Sequence, residues 1–493
     1  MKTVQTGDIL APFEKIGYGL GDLAANLIFQ TLLTFIAFFY TDVYKLPAKT
    51  AAAIIFFGGL TGACFNPVVG LIADRTQTRW GKFRPWILWT AVPFGAIAVL
   101  SFSTPNFAPA GKVAYATLTY VLLMLVYAAN NLPYAALGGV LTGNMAERNS
   151  LSTYRFIAVM VAQFIIQVLL LPLVLILGDG NKILGFQRTI MVFACVGTLC
   201  FLITFLTTRE RVVGTPEQRS SVREDVVDLI GNRPWVIMMF LTVLVFITLA
   251  LRGGMYIYYF KNYLQEAAIA AFLRGIGFNA VIDSVNKVLT AMGLTRFQWP
   301  EDIATSGFSL FNAGGIVFMI IGIAFAKPLA DRFGKRNIFG GALLLSTIFM
   351  AVLFVYPPNA IGLLFTSQLA HSFFYGITVP LLWAMIADVA DYSEWKNNRR
   401  ATALLFSAII FGLKAGLSLG GALVAVLLSY YGYDSQATHQ APATVDGIRT
   451  AVSLYASVPF LLCIASLCFY EIRKSLELQI EQDLVRRRGH KEA

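Results

Sequence analysis

The sequence predicts an all-α membrane protein whose twelve transmembrane helices fall into two six-helix halves. Three observations carry this. Hydrophobic residues make up 57% of the 493-residue chain and charged residues only 13%, about half the charge of a typical soluble domain. The apolar residues gather in stretches of roughly 20 or more, the length that crosses about 30 Å of hydrocarbon. Finally, two basic segments of like composition, 74–84 and 331–336, stand about half a chain length apart, each between apolar runs.

In chain order, the expected spans of the first half lie near 13–42, 50–73, 86–104, 113–140, 152–178 and 186–207. Those of the second lie near 234–262, 305–326, 338–356, 360–390, 401–431 and 449–471. This gives an N-terminal half (1–208), a polar linker of mixed charge (209–233), a C-terminal half (234–472) and a tail (473–493). An even number of spans places both termini on one side. The loops 74–85, 327–337 and 393–400 are rich in Lys and Arg, and the tail adds Arg473, Lys474, Arg486, Arg487, Arg488 and Lys491. The loop near 357–359 carries no charge. Both termini are therefore expected in the cytoplasm, in a multi-pass protein of the cytoplasmic (inner) membrane.

Segment 264–305 is too long for a simple connection. Its Ala-rich middle, 267–294, alternates apolar and polar residues at roughly helical spacing. One or two helices on or near the outer surface are expected there, as a decorative insertion or as a lid over a pathway.

The net charge of +11 sits in particular loops, which fits membrane topology and not nucleic-acid binding. Five cysteines lie within apolar runs without metal-ligand spacing and read as packing residues, with no disulfide framework implied. Three histidines argue against a zinc enzyme, and no cofactor or metal centre is expected. No nucleophile, base and stabiliser converge as an enzyme requires, and no soluble signalling domain marks a sensor. Two similar membrane halves are instead an architecture of transporters, with substrate held near the bilayer midplane.

The repeated segment has a physical rationale in both copies, Asp74, Arg75, Gly81 and Lys82 in one and Asp331 and Arg332 in the other. Glycine permits close approach of helices, aspartate meets cations or a helix N-terminus, and the basic residues hold the loop on one face. Ionisable groups inside spans are costly and so mark function by default. Asp22, Arg155, Arg252 and Lys414 are such groups. Arg155 sits near a span end, where a long side chain can reach the interface. Arg252 is deeper, and either contacts ligand or pairs with a carboxylate. Asp388, Asp391 and Glu394, beside Lys396, Arg399 and Arg400, are expected to form gating and interhelical salt bridges at the inner end of the tenth span.

Several motifs carry a family resemblance. Ile16-Gly17-Tyr18-Gly19-Leu20-Gly21-Asp22, Phe39-Tyr40-Thr41-Asp42-Val43 and Arg79-Trp80-Gly81-Lys82-Phe83-Arg84-Pro85-Trp86 come first. Asn131-Leu132-Pro133-Tyr134, Tyr154-Arg155-Phe156 and the run from Ala387 through Asp388, Asp391 and Tyr392 to Lys396 follow. Together they resemble the glycoside–pentoside–hexuronide:cation symporters of the major facilitator superfamily, over nearly the whole chain except 264–305. The resemblance implies the major facilitator fold and import of a sugar, glycoside or oligosaccharide by alternating access. It also implies substrate-binding roles for Asn26 and Asn131, a sugar-hydroxyl-binding role for Arg155, and a role for Lys414 at the cation and sugar sites. Tyr127, one turn before Asn131, could stack on a sugar ring.

The cation site is where the chain departs from this pattern. Sodium-coupled relatives carry two aspartates on the second span, where this sequence has Gly62 and Asn66. A hard cation needs carboxylate oxygens, so a proton is favoured over sodium, with Asp22 as the protonatable candidate. Asparagines at 26 and 131, with cations retained nearby, make an acidic uronide an expected substrate class beside neutral sugars. The alternatives are a lysolipid or other amphiphile carrier of the same fold, and an uncoupled sugar facilitator.

Overall fold

The computed structural model describes residues 10–142, 145–211, 231–291, 302–397, 402–437 and 439–489. Most of the expected linker, the side chain of Asp74, and Arg399, Arg400 and Lys491 lie outside the described residues. The helices follow in order as α1 (Pro12–Phe38), α2 (Ala48–Arg75), α3 (Arg84–Ser101), α4 (Pro109–Val140), α5 (Met145–Phe164), α6 (Leu170–Leu177) and α7 (Lys182–Thr207). Then come α8 (Arg233–Asn262), α9 (Glu266–Gly275), α10 (Phe278–Ala291), α11 (Ile303–Phe333) and α12 (Lys335–Ala351). The last are α13 (Ile361–Asn397), α14 (Thr402–Tyr430), α15 (Pro442–Thr450), α16 (Ala456–Leu467) and α17 (Lys474–Gly489). Single π-helical turns at Phe39–Val43, Ile165–Leu169 and Ala451–Tyr455 join α1 to its end, α5 to α6 and α15 to α16. The first of these turns is the aromatic motif of the sequence.

Among the described residues, twelve helical segments are long and apolar enough to cross a membrane, the number the sequence predicts. The insertion forms two helices, α9 and α10, bent by 59° relative to each other at Gly277, whose φ is +70°. Taken together they are long and apolar enough to make a thirteenth span. Phe272 of α9 packs its ring 4.7 Å from Phe365, seating α9 on the start of α13.

The basic loops are shorter than the apolar runs suggest. α11 stays helical to Phe333 and α12 begins at Lys335, so the expected loop 327–337 reduces to a turn at Gly334, with φ +86°. α13 likewise carries Asp388 and Asp391 on helix as far as Asn397. Lys, Arg and Glu keep good helix propensity once a helix leaves hydrocarbon, so hydropathy ends before the helix does.

Two compact units divide the chain, residues 1–217 with 282–309 and 434–438, and residues 218–281 with 310–433 and 439–493. Each uses the same packing scheme. In the first, α1 packs on α5 and α7, α2 on α4, and α3 on α4 and α7. In the second, α8 packs on α14 and α16, α12 on α13 and α16, and α11 on α13, where Gly322 lies against the backbone of Phe373. The repeat legible in the loops therefore extends to helix pairings. Without a hydrophobic drive in lipid, such pairings depend on close van der Waals approach. Gly58 and Gly62 of α2 provide it against Tyr120 and Met124 of α4.

The first copy of the basic loop is held by a residue the motif does not contain. Gly81 has φ +110°, and Glu210, just past α7, accepts from the backbone N–H groups of Lys82, Phe83 and Arg84 at 2.8, 2.8 and 2.9 Å. These are donors that no intrahelical bond satisfies at the start of α3, and a carboxylate there also meets the positive end of the helix. A side chain on Gly81 would strike Glu210. Nearby, Arg211 clasps Glu14 at 2.7 and 2.9 Å, and Lys15 pairs with Glu147 at 2.9 Å. The Lys15 ammonium holds the Glu147 carboxyl below the usual carboxylate range. Residues 209–211, expected as the first of a linker, are thus bound into the first unit. Glu210→Ala is expected to cost about 1–3 kcal/mol, the penalty of unpaired buried donors. Thermal unfolding in detergent checks this, and a wild-type midpoint would show the cap to be dispensable.

Candidate functional site

α1 and α4 face each other through two matched stripes. Tyr18, Asp22, Asn26 and Phe29 fall on one face of α1, and Tyr127, Asn131 and Tyr134 on one face of α4, by i, i+3 and i+4 spacing. Aromatic pairs fix the two ends. The rings of Tyr18 and Tyr134 stack 4.8 Å apart, and those of Phe29 and Tyr127 stack 4.7 Å apart. Asp22, Asn26 and Asn131 lie between these contacts. Gly21 makes the first one possible, because a Cβ there would come within 2.4 Å of the Tyr134 ring.

α5 adds Arg155. Its Nε donates to the buried carboxylate of Asp22, and its guanidinium stands 5.4 Å from the Tyr134 ring and 5.8 Å from that of Tyr18. Tyr134 donates in turn to the Tyr18 carbonyl at 2.6 Å. Arg155 therefore does not extend away to an interface. Asp22 is thus paired with a fixed cation. Because Asp22 neutralises Arg155, the two asparagines do not by themselves leave this side electropositive.

Asn26 Nδ2 donates to the Asp22 carbonyl at 2.9 Å. Asn131 is partly buried, and its amide makes no hydrogen bond to another described residue. Polar side chains inside a span with hydrogen-bonding capacity unspent are suited to a polar ligand. Tyr127 is buried with one ring face against Phe29, so stacking on a ligand is confined to what that contact leaves.

On α2, a Cβ at Gly62 would meet the Cβ of Met124 at 2.8 Å. An aspartate could not stand there without separating α2 from α4. Asn66 Nδ2 donates to the Ala63 carbonyl at 3.1 Å.

In the second unit, Arg252 of α8 is buried and donates from Nη2 to Gln368 Oε1 of α13 at 2.7 Å. Of the two readings open for it, carboxylate pairing is absent among the described residues. Lys414 is partly buried within α14. Lys335 Nζ reaches both oxygens of Asp388 at 2.6 and 2.8 Å and Glu477 of α17 at 2.9 Å. Asp388 therefore pairs with the second copy of the basic motif, and α13 is tied to α12 and α17. Asp331 and Arg332 are exposed, and their carbonyls accept from Lys474 Nζ at 2.6 and 3.3 Å. Arg75 is exposed and Asp391 partly buried.

Sequence reasoning missed Glu14, Glu210, Glu477 and Gln368. Glu14 stands in the first turn of the first span, where a charge reads as a helix end. Glu210 and Glu477 lie in polar segments, and Gln368 is uncharged, so the test of charge deep within a span passes over all four.

Comparison with known proteins shows the family. The chain matches the MFS/sugar transport protein family over residues 17–293 and 302–474. It is 35% identical over 455 residues to the inner membrane symporter YicJ of Escherichia coli, covering 92% of this chain and 90% of that one. It is 32% identical over 468 residues to the putative glycoside/cation symporter YagG of the same organism, covering 95% and 93%. Among solved structures, the nucleoside transporter NupG aligns with a TM-score of 0.57 at 13% identity, covering 94% of this chain and all of that one. The chain belongs to the MFS/sugar transport protein family and is a multi-pass membrane transporter of the glycoside–pentoside–hexuronide symporter type.

Proposed function

We propose that this chain imports a sugar or glycoside into the cytoplasm by alternating access, coupled to protons. The observation that carries the reading is the polar stripe Asp22, Asn26 and Asn131 beside Arg155, enclosed by aromatic rings within the spans. Amides both donate to and accept from hydroxyls, guanidinium donates to them, and aromatic rings cover the apolar faces of sugars. The family match and the printed description of YagG as a putative glycoside/cation symporter support the substrate class.

The coupling step follows from the pair. In the resting arrangement Arg155 is paired with Asp22. A sugar hydroxyl that takes the arginine's donors would loosen that pairing and leave the Asp22 carboxyl open to exchange with the coupling proton. Substrate and proton then bind as partners. A proton is favoured over sodium because, on α2, a Cβ at Gly62 would crowd Met124 and the amide of Asn66 supplies no charge. Lys414, on α14 of the second unit, would be a further substrate-binding residue. The Lys335–Asp388–Glu477 cluster would act as a cytoplasmic latch within the second unit, supported by Asp391, Asp331 and Arg332, with both termini on the same side. The 74–82 loop would have a gating or structural role in the first unit.

Uptake by membrane vesicles tests this. Accumulation is expected with a proton gradient and to be equal in sodium and in choline. Asn26→Ala and Asn131→Ala should each reduce uptake by about tenfold, the worth of one or two lost hydrogen bonds. Strict sodium dependence would overturn the coupling, and wild-type uptake by both variants would overturn the site.

A further inference from the structure

Arg252 carries a charge that the described residues do not neutralise. Only 6% of it is exposed, and no carboxylate is among the groups that act on it. Its guanidinium lies 4.8 Å from the Tyr256 ring. Gln368 Oε1 accepts from both Arg252 Nη2, at 2.7 Å, and Tyr256 Oη, at 3.2 Å. Arg252 Nε is shut away from solvent with no partner among the described residues. Phe311 closes the other side of Tyr256, with ring centroids 4.9 Å apart. A Cβ at Gly315 would come within 2.6 Å of Gln368 Nε2 and 3.0 Å of Ser372 Oγ, so the bare backbone of α11 lies close against these two side chains.

Arginine does not shed its proton to escape burial. A lone buried cation costs several kcal/mol unless a counter-charge or several acceptors offset it. One amide oxygen shared with a tyrosine is a small offset, and an unsatisfied N–H adds to the cost. We propose that Arg252, Gln368 and Ser372 form a binding site for a singly charged anion. Single charge follows from balance, because one guanidinium among apolar rings would leave a divalent anion uncompensated. Two sources supply that chemistry, a halide from solution or the carboxylate of an acidic substrate. The site involves neither Asp22 nor the sodium question, so it can fail while the transport reading stands, and the reverse.

The test is thermal unfolding of the full-length protein in detergent, in sulfate buffer of fixed ionic strength. Chloride, glucuronate and glucose are titrated separately. The wild-type midpoint is expected to rise with chloride, glucuronate or both, and not with glucose. A rise with chloride alone assigns a solution halide, and a rise with glucuronate assigns a substrate carboxylate, with chloride competing. Arg252→Gln should abolish the response. Arg252→Lys, which keeps the charge but loses the fork of donors, should weaken anion affinity by about tenfold. It serves as the variant arm if Arg252→Gln does not fold. A wild-type midpoint indifferent to both anions would overturn the site without any variant. An undiminished response in either variant would overturn it as well.

Discussion

Asp22→Ala is expected to lower sugar accumulation by about a hundredfold or more and to destabilise the first unit by about 1–3 kcal/mol. The cost of breaking a buried ion pair runs to about 3–5 kcal/mol. It is discounted here because the Arg155 side chain is 34% exposed and water can take up part of its charge. The loss of transport is expected to exceed what instability explains, because the variant removes both the proposed proton acceptor and the group that positions Arg155. Asp22→Asn separates these roles. It keeps the shape and imitates the protonated acid, so exchange of sugar across the membrane should persist while proton-driven accumulation disappears. The double variant Asp22→Ala with Arg155→Ala should lose less stability than the two single losses added, since the second removes a charge the first left unpaired. Accumulation by Asp22→Asn at the wild-type level would sink the assignment of Asp22 to coupling.

The spans were legible because hydrocarbon imposes one rule, length and apolarity, that hardly any local context overrides. Asp22 and Arg155 were legible as functional candidates for the same reason, since a charge in a span stands out. That they meet was not, because they sit on α1 and α5, 133 residues apart, and no local periodicity links them. Glu210 was hidden differently. It lies in a polar stretch where one more carboxylate carries no signal, and its partners are backbone N–H groups that every residue possesses. The ends of α11 and α13 were placed early because hydropathy records where hydrocarbon stops and not where hydrogen bonding stops. Arg252 was visible, yet its partner Gln368 was not, since an amide in a span resembles ordinary interhelical packing.

The helix seam between α8 and α14 yields a graded expectation. Gly412, Gly416 and Gly420 recur every fourth residue and present one bare stripe of α14 to α8. A Cβ at Gly416 would lie 2.5 Å from the Val243 carbonyl oxygen, and one at Gly420 would lie 2.4 Å from that of Ile247. Backbone cannot turn aside as a side chain can, so each alanine would push the helices apart along the seam. Gly412 differs, because its Cβ would meet the Met239 sulfur at 2.4 Å, the mobile part of a flexible side chain. Gly341 of α12 is exposed, and a Cβ there meets nothing within 4 Å. Two effects of opposite sign compete at all four positions. Alanine stabilises a helix by about 1 kcal/mol relative to glycine, whereas overpacking costs about 1–3 kcal/mol and more where backbone must move. The first should win at Gly341, the two should nearly cancel at Gly412, and the second should win at Gly416 and Gly420. Unfolding midpoints in detergent should therefore fall in the order Gly341→Ala, Gly412→Ala, then the other two together. Gly416→Leu should leave little monodisperse protein. A midpoint for Gly416→Ala equal to that for Gly341→Ala would mean that the seam has slack, and that close backbone approach does not hold α8 to α14.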